Sequence, residues 1–216
     1  MTGRFLAGNV VVPGKAGKLE AIYKPGDSER STPRHAAIIC HAHPLHGGTM
    51  HFKLIFRIAR AFDELGFPTL RFNFRGVGGS EGTFDEGRGE RDDIRSAIDW
   101  LAQRHPGVPL VVSGFSFGSW TGLPVGCADP RVSHVVGLGV PVRAFDINGL
   151  SSCTKPKLLV QGTNDEFGPM AQLNSWYADL PEPKRLVRIE GADHFFEGRR
   201  EEMANAIKEY FAYEAN

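Results

Sequence analysis

The chain has 216 residues, 41% of them hydrophobic, with 25 Lys and Arg balanced by 25 Asp and Glu. That length supports one well-buried core and is short for two, so a single domain spanning residues 1–216 is expected. The charge balance leaves no field to steer the protein toward nucleic acid or an anionic membrane, and it points to a small or neutral partner.

Residues 1–17 have no long apolar core of the kind a signal peptide needs, and no later stretch reaches the length of a membrane span. A soluble cytoplasmic protein is the expectation. Residues 8–13 and 18–25 read as an opening pair of strands forming an antiparallel edge, and residues 25–34 as a polar, turn-rich connection. A repeated alternation follows. Apolar runs at 35–41, 69–74, 110–114, 132–140, 157–162 and 185–190 are separated by helix-like segments at 51–65, 89–104, 117–128, 169–180 and 199–213. This pattern predicts an α/β fold with a mostly parallel central sheet of about eight strands and helices on both faces. Residues 142–156 are too few for an inserted cap domain, so the site is expected to be open. Cys40, Cys127 and Cys153 are widely spaced and unpaired in sequence, which fits reduced, mostly buried thiols.

The run Leu110 to Trp120 carries the chemistry. An apolar strand leads into Gly114-Phe115-Ser116-Phe117-Gly118, a G-x-S-x-G nucleophile elbow in which Ser116 stands at the tip of a strand-to-helix turn. The glycines suit a strained turn with room only for hydrogen at the flanking positions. Two further strand ends offer partners: Gly162-Thr163-Asn164-Asp165 and Gly191-Ala192-Asp193-His194. The carboxyl ends of parallel strands form one rim, so Ser116, Asp165 and His194 converge although distant in sequence. His194 is the expected general base and Asp165 its orienter; Asp193 adjoins the base itself, and Glu166 points off the rim if Asp165 points in.

An acyl-transfer site also needs two backbone donors for the developing oxyanion. Phe117, the residue after the nucleophile, supplies one. The other comes from the turn His41-Ala42-His43-Pro44-Leu45-His46-Gly47-Gly48, where Pro44 has no N–H; His43 is preferred over Leu45. Leu45, Trp120 and Phe167 are the first choices for substrate contact, with Phe195 and Phe196 also flanking the rim.

Together, the H-x-H-P-x-x-G-G turn, Asn73-Phe74-Arg75-Gly76-Val77-Gly78-Gly79-Ser80, the elbow, G-x-x-D and G-x-D-H-F resemble the α/β-hydrolase superfamily from about His35 onward. The nearest look-alikes are small lidless bacterial serine hydrolases, similar in scale to dienelactone hydrolases. The resemblance implies the α/β-hydrolase fold without a cap domain, no metal or organic cofactor, and hydrolysis of short acyl substrates. Dienelactone hydrolases carry cysteine where this chain has Ser116, which tells against their lactone substrate and leaves acyl transfer to water. The expectation is a carboxylesterase-type hydrolase of small esters, with a thioesterase or lactonase on the same triad as the alternative.

Two other readings weigh less. His41, His43, His46 and His51 form a cluster of imidazoles, but no cysteine or carboxylate lies within it, so no metal is expected. A non-catalytic binding module on the same scaffold conflicts with an intact Ser, Asp and His. The Gly76 to Gly82 stretch matches no phosphate-binding motif and reads as a turn, and Arg75 as a partner for a buried acid. Nothing in the pattern decides between a monomer and a homodimer.

Overall fold

The computed structural model describes residues 7–26 and 33–213. Most of the 25–34 connection, and the ends of the expected domain, therefore lie outside the described residues. The chain opens with the hairpin β1 (Gly8–Gly14) and β2 (Gly17–Lys24), followed by β3 (Ala36–Cys40), α1 (Lys53–Glu64), β4 (Thr69–Phe72) and α2 (Arg88–Arg104). Then come β5 (Leu110–Phe115), α3 (Phe117–Ala128), β6 (Val132–Leu138), β7 (Lys157–Gly162), α4 (Met170–Ala178), β8 (Lys184–Ile189) and α5 (Arg200–Tyr213). The strands form one eight-stranded sheet in the order β1-β2-β4-β3-β5-β6-β7-β8. The β1–β2 and β2–β4 pairs are antiparallel, and every pair from β4 to β8 is parallel.

The two faces of the sheet follow the alternation along each strand. Ile38, Cys40, Leu70, Phe72 and Val112 face Ile94, Ile98 and Leu101 of α2, Leu123 of α3 and Leu173 of α4. Ala37, Ile39, Val111, Val136 and Val160 face Ile58 and Phe62 of α1 and Ile207 and Phe211 of α5. Because helices cover both faces, a central strand such as β3 is buried at all five positions, which is why it reads as an unbroken apolar run. The expected strand 69–74 stops at Phe72: Asn73 keeps one bond to β2, its N–H to Glu20 O, while the Ser80 hydroxyl takes its carbonyl and its side chain accepts from the Met50 N–H and donates to Glu20.

From β3 the chain passes to β4 on one side and later to β5 on the other. The crevice beyond the carboxyl ends of β3 and β5 is therefore the topological switch point of the sheet, where open α/β sheets place their sites. Between β6 and β7 the described chain carries only an irregular segment with one short 3-10 turn, Asn148–Leu150, and no cap domain. No helix among the described residues is long and apolar enough to cross a membrane.

The cysteines correct the expectation of reduced thiols. Cys127 near the end of α3 is bonded to Cys153 with 5.5 Å between their Cα atoms, and only Cys40 is free and buried. A separation of 26 residues gives no local signal. The pair meets because the segment after β6 folds back along α3, where Gly149 lies against Pro124.

Candidate active site

Ser116 occupies the turn between β5 and α3 with φ 54° and ψ −120°, a backbone state that residues with a Cβ rarely adopt. Its N–H donates to Leu138 O and its carbonyl accepts from Ser119 and Trp120, so both neighbouring elements hold the strained residue in place. The flanking glycines are needed for close approach. A Cβ on Gly114 would lie 2.2 Å from the Gly118 carbonyl oxygen, and one on Gly118 would lie 2.3 Å from that of Cys40. The end of β3 is thereby pressed against the first turn of α3.

His194 and Asp165 arrive from the loops after β8 and β7. His194 Nε2 is 2.9 Å from Ser116 Oγ, and His194 Nδ1 is 2.8 Å from Asp165 Oδ2. Both side chains are buried. Asp165 Oδ1 accepts the Phe167 and Gly168 amides at 2.8 and 2.9 Å, so the turn after β7 is wound around the carboxylate. The two neighbouring acids point elsewhere: Asp193 accepts the Glu197 N–H, and Glu166 is exposed. A serine, an imidazole and a carboxylate in one hydrogen-bonded line can transfer a proton from hydroxyl to imidazole while the carboxylate steadies the charge.

The turn after β3 adjoins the elbow, with the His43 and Phe117 rings 4.9 Å apart. Among the described residues neither the His43 nor the Phe117 amide has an acceptor, whereas the Leu45 N–H donates to His43 Nδ1 at 3.2 Å. That bond occupies the alternative donor. Burial, with His46 nearby, holds the His43 imidazole below its ordinary pKa, which suits a ring nitrogen that accepts. His41 is fully buried; its Nδ1 donates to Ala42 O and its Nε2 accepts the Phe74 N–H. Burial pushes its pKa down to about 4, so it is a neutral pin between the two loops. Among the described residues no three His, Cys, Asp or Glu side chains are grouped to hold a metal.

The expected contact residues separate. Phe167 lies 4.6 Å from the His194 ring and is partly exposed, and Trp120 stacks on Phe145 at 4.4 Å beside Phe117. Leu45 is 68% exposed on its short helical turn. Phe195 packs edge-on to His194 at the surface, while Phe196 is fully buried in the core. Phe84 and Phe145 were not foreseen; their rings lie 5.0 and 6.4 Å from His43. Both sit in irregular loops with no periodicity, so no sequence signal marks them. Arg75 pairs with the buried Asp93, Nη2 to Oδ1 at 2.7 Å, and thereby anchors the loop that carries Phe84 to α2. A hollow of about 390 Å³ between β2, β4 and α1 contains none of these residues.

A family model described as an alpha/beta hydrolase domain matches residues 34–212. The chain belongs to the alpha/beta hydrolase family. A putative alpha/beta hydrolase of unknown function from Agrobacterium tumefaciens is 34% identical, with a TM-score of 0.89 over 97% of both chains. An alpha-beta serine hydrolase homologue from Coxiella burnetii is 33% identical, with a TM-score of 0.89 over 96% of this chain and 99% of its own. An alpha/beta serine hydrolase without lid from Xanthomonas campestris is 30% identical, with a TM-score of 0.87 over 96% of this chain and 94% of its own. The lack of a cap domain among the described residues agrees with the Xanthomonas campestris relative, which is described as without lid.

Proposed function

We propose that this alpha/beta hydrolase is a serine hydrolase of small carboxylic esters. Ser116 attacks the acyl carbon while His194 Nε2 takes its proton, and Asp165 holds the imidazole tautomer and stabilises its charged form. The Phe117 and His43 amides receive the oxyanion, in a site where preorganised donors act without reorganising. His194 returns the proton to the departing alcohol. It then activates a water that releases the acid and restores Ser116.

The observation that carries this reading is the hydrogen-bonded line from Ser116 Oγ through His194 to Asp165 at 2.9 and 2.8 Å. The hollow among Ser119, Trp120, Leu123, Val140, Ile147 and Trp176 is about 10 Å³ and holds no acyl chain, so it supplies no acyl pocket. Trp120, Phe145 and Phe167 then offer an open apolar rim for the substrate.

The test is hydrolysis of p-nitrophenyl esters of increasing acyl length by the intact protein and by Ser116→Ala, with intact-mass detection of a fluorophosphonate adduct. Turnover that favours short chains and vanishes in the variant, with a single adduct on Ser116, is the expected result. A folded protein that neither turns over any ester nor forms the adduct would refute the proposal.

A further inference from the structure

Gln161, in β7, is fully buried four residues before Asp165. Its amide orientation is dictated by its neighbours. The Val140 N–H can only donate, and it lies 2.8 Å from Oε1; the Gly168 carbonyl can only accept, and it lies 3.2 Å from Nε2. Nε2 therefore faces Asp165 Oδ2, at 2.7 Å. This is the same oxygen that meets His194 Nδ1. Gly168 permits the arrangement, since a Cβ there would lie 2.2 Å from Gln161 Nε2.

Asp165 thus receives four N–H donors: Phe167 and Gly168 on Oδ1, and Gln161 and His194 on Oδ2. The two backbone donors belong to the carboxylate's own turn and move with it. Gln161 is different, because β7 fixes its backbone and Val140 fixes its amide from the neighbouring loop after β6. The other groups packed against the His194 ring, Phe115, Phe167 and Phe195, carry no charge. Among the described residues, Gln161 is accordingly the one side chain besides His194 that bonds the carboxylate, and it shares the oxygen presented to the imidazole.

We infer that Gln161 is a positioning residue for the Asp165–His194 pair: a rigid donor that holds the carboxylate in register with the imidazole and ties the loops after β6 and β7 into one frame. The inference rests on the reading of Ser116, His194 and Asp165 as nucleophile, base and orienter. Buried amides in fully satisfied networks specify a single arrangement, and small misplacements of reacting groups slow a reaction steeply.

Gln161→Met and Gln161→Glu test it, with two readouts on folded samples: the rate of fluorophosphonate labelling of Ser116 against pH, and kcat and KM on a short p-nitrophenyl ester. Methionine keeps the volume and removes the donor, so labelling and kcat should fall roughly 10- to 100-fold at every pH while KM is unchanged. The glutamic acid variant still accepts from Val140 and, while protonated, still donates to Asp165. Two carboxyl groups sharing one proton lose it as pH rises, so this variant should approach the wild-type rate at low pH and fall away from it at high pH. Wild-type rates and profiles in both variants would overturn the inference. So would an equal loss in both at every pH, the mark of simple packing. A wild-type protein that leaves Ser116 unlabelled would instead remove the nucleophile assignment, and the inference with it.

Discussion

Replacing Ser116 by glycine and by alanine separates the cost of the elbow from its chemistry. Both variants lose the hydroxyl and its bond to His194, so their difference in stability isolates the backbone. At φ 54° and ψ −120° a residue with a Cβ carries about 1–3 kcal/mol of strain, which alanine retains and glycine sheds. Against that gain stands the greater freedom of glycine in the unfolded chain, about 0.4–1 kcal/mol. The expected balance is that Ser116→Gly is more stable than Ser116→Ala by about 1–2 kcal/mol, or roughly 2–8 °C in Tm for a chain of this size. Urea unfolding followed by far-ultraviolet circular dichroism, with equal slopes for the two variants, reads the difference directly. An alanine variant as stable as the glycine variant would limit the strain at Ser116 to about 0.4–1 kcal/mol, below the expected range, and refute the reasoning.

Asp165→Asn should leave the protein folded, because the Phe167 and Gly168 amides can still donate to its carbonyl oxygen, yet ester turnover should fall about 1,000-fold or more through loss of the imidazole tautomer; turnover within tenfold of the wild type would unseat Asp165 as orienter. Asp93→Ala should destabilise the fold by about 3–5 kcal/mol in urea, since it strands the nearly buried Arg75 guanidinium, and a change below about 1 kcal/mol would contradict the role given to that pair. His41 supplies a pH prediction. Its pKa in the folded chain is about 4 against an ordinary 6.5, because burial disfavours the charged ring. The unfolded chain therefore binds the proton first, and this contribution to stability is present above about pH 6.5 and lost as pH falls toward 4, at about 1.4 kcal/mol per pH unit. Urea midpoints measured between these limits should fall less steeply in His41→Gln than in the wild type, and equal slopes would exclude His41 as the source.

The elements and the site were not equally legible in the sequence. Alternating apolar runs and helix-period segments placed all eight strands and five helices to within a few residues, because burial on both faces of a parallel sheet demands continuous apolar strands. Ser116, Asp165 and His194 were legible for a related reason: each follows directly on a strand's carboxyl end, and short loops on a fixed rim leave little freedom in where they project. Gln161 was hidden inside an apolar run, where a single amide reads as an interruption until its partners are known. Phe84, Phe145 and the Cys127–Cys153 bond belong to irregular segments whose path is set by what they pack against.

By itself, then, the sequence determined the α/β sheet, the order of its elements and the three residues of the candidate proton line, because periodicity and turn chemistry are local properties. Only the tertiary structure decided which amide of the β3 turn stays free, which carboxylate oxygen meets His194, and which rings line the rim. Each of these depends on contacts between residues far apart in the chain, such as Val140 with Gln161 and His41 with Phe74, and a contact of that kind leaves no mark on either segment alone.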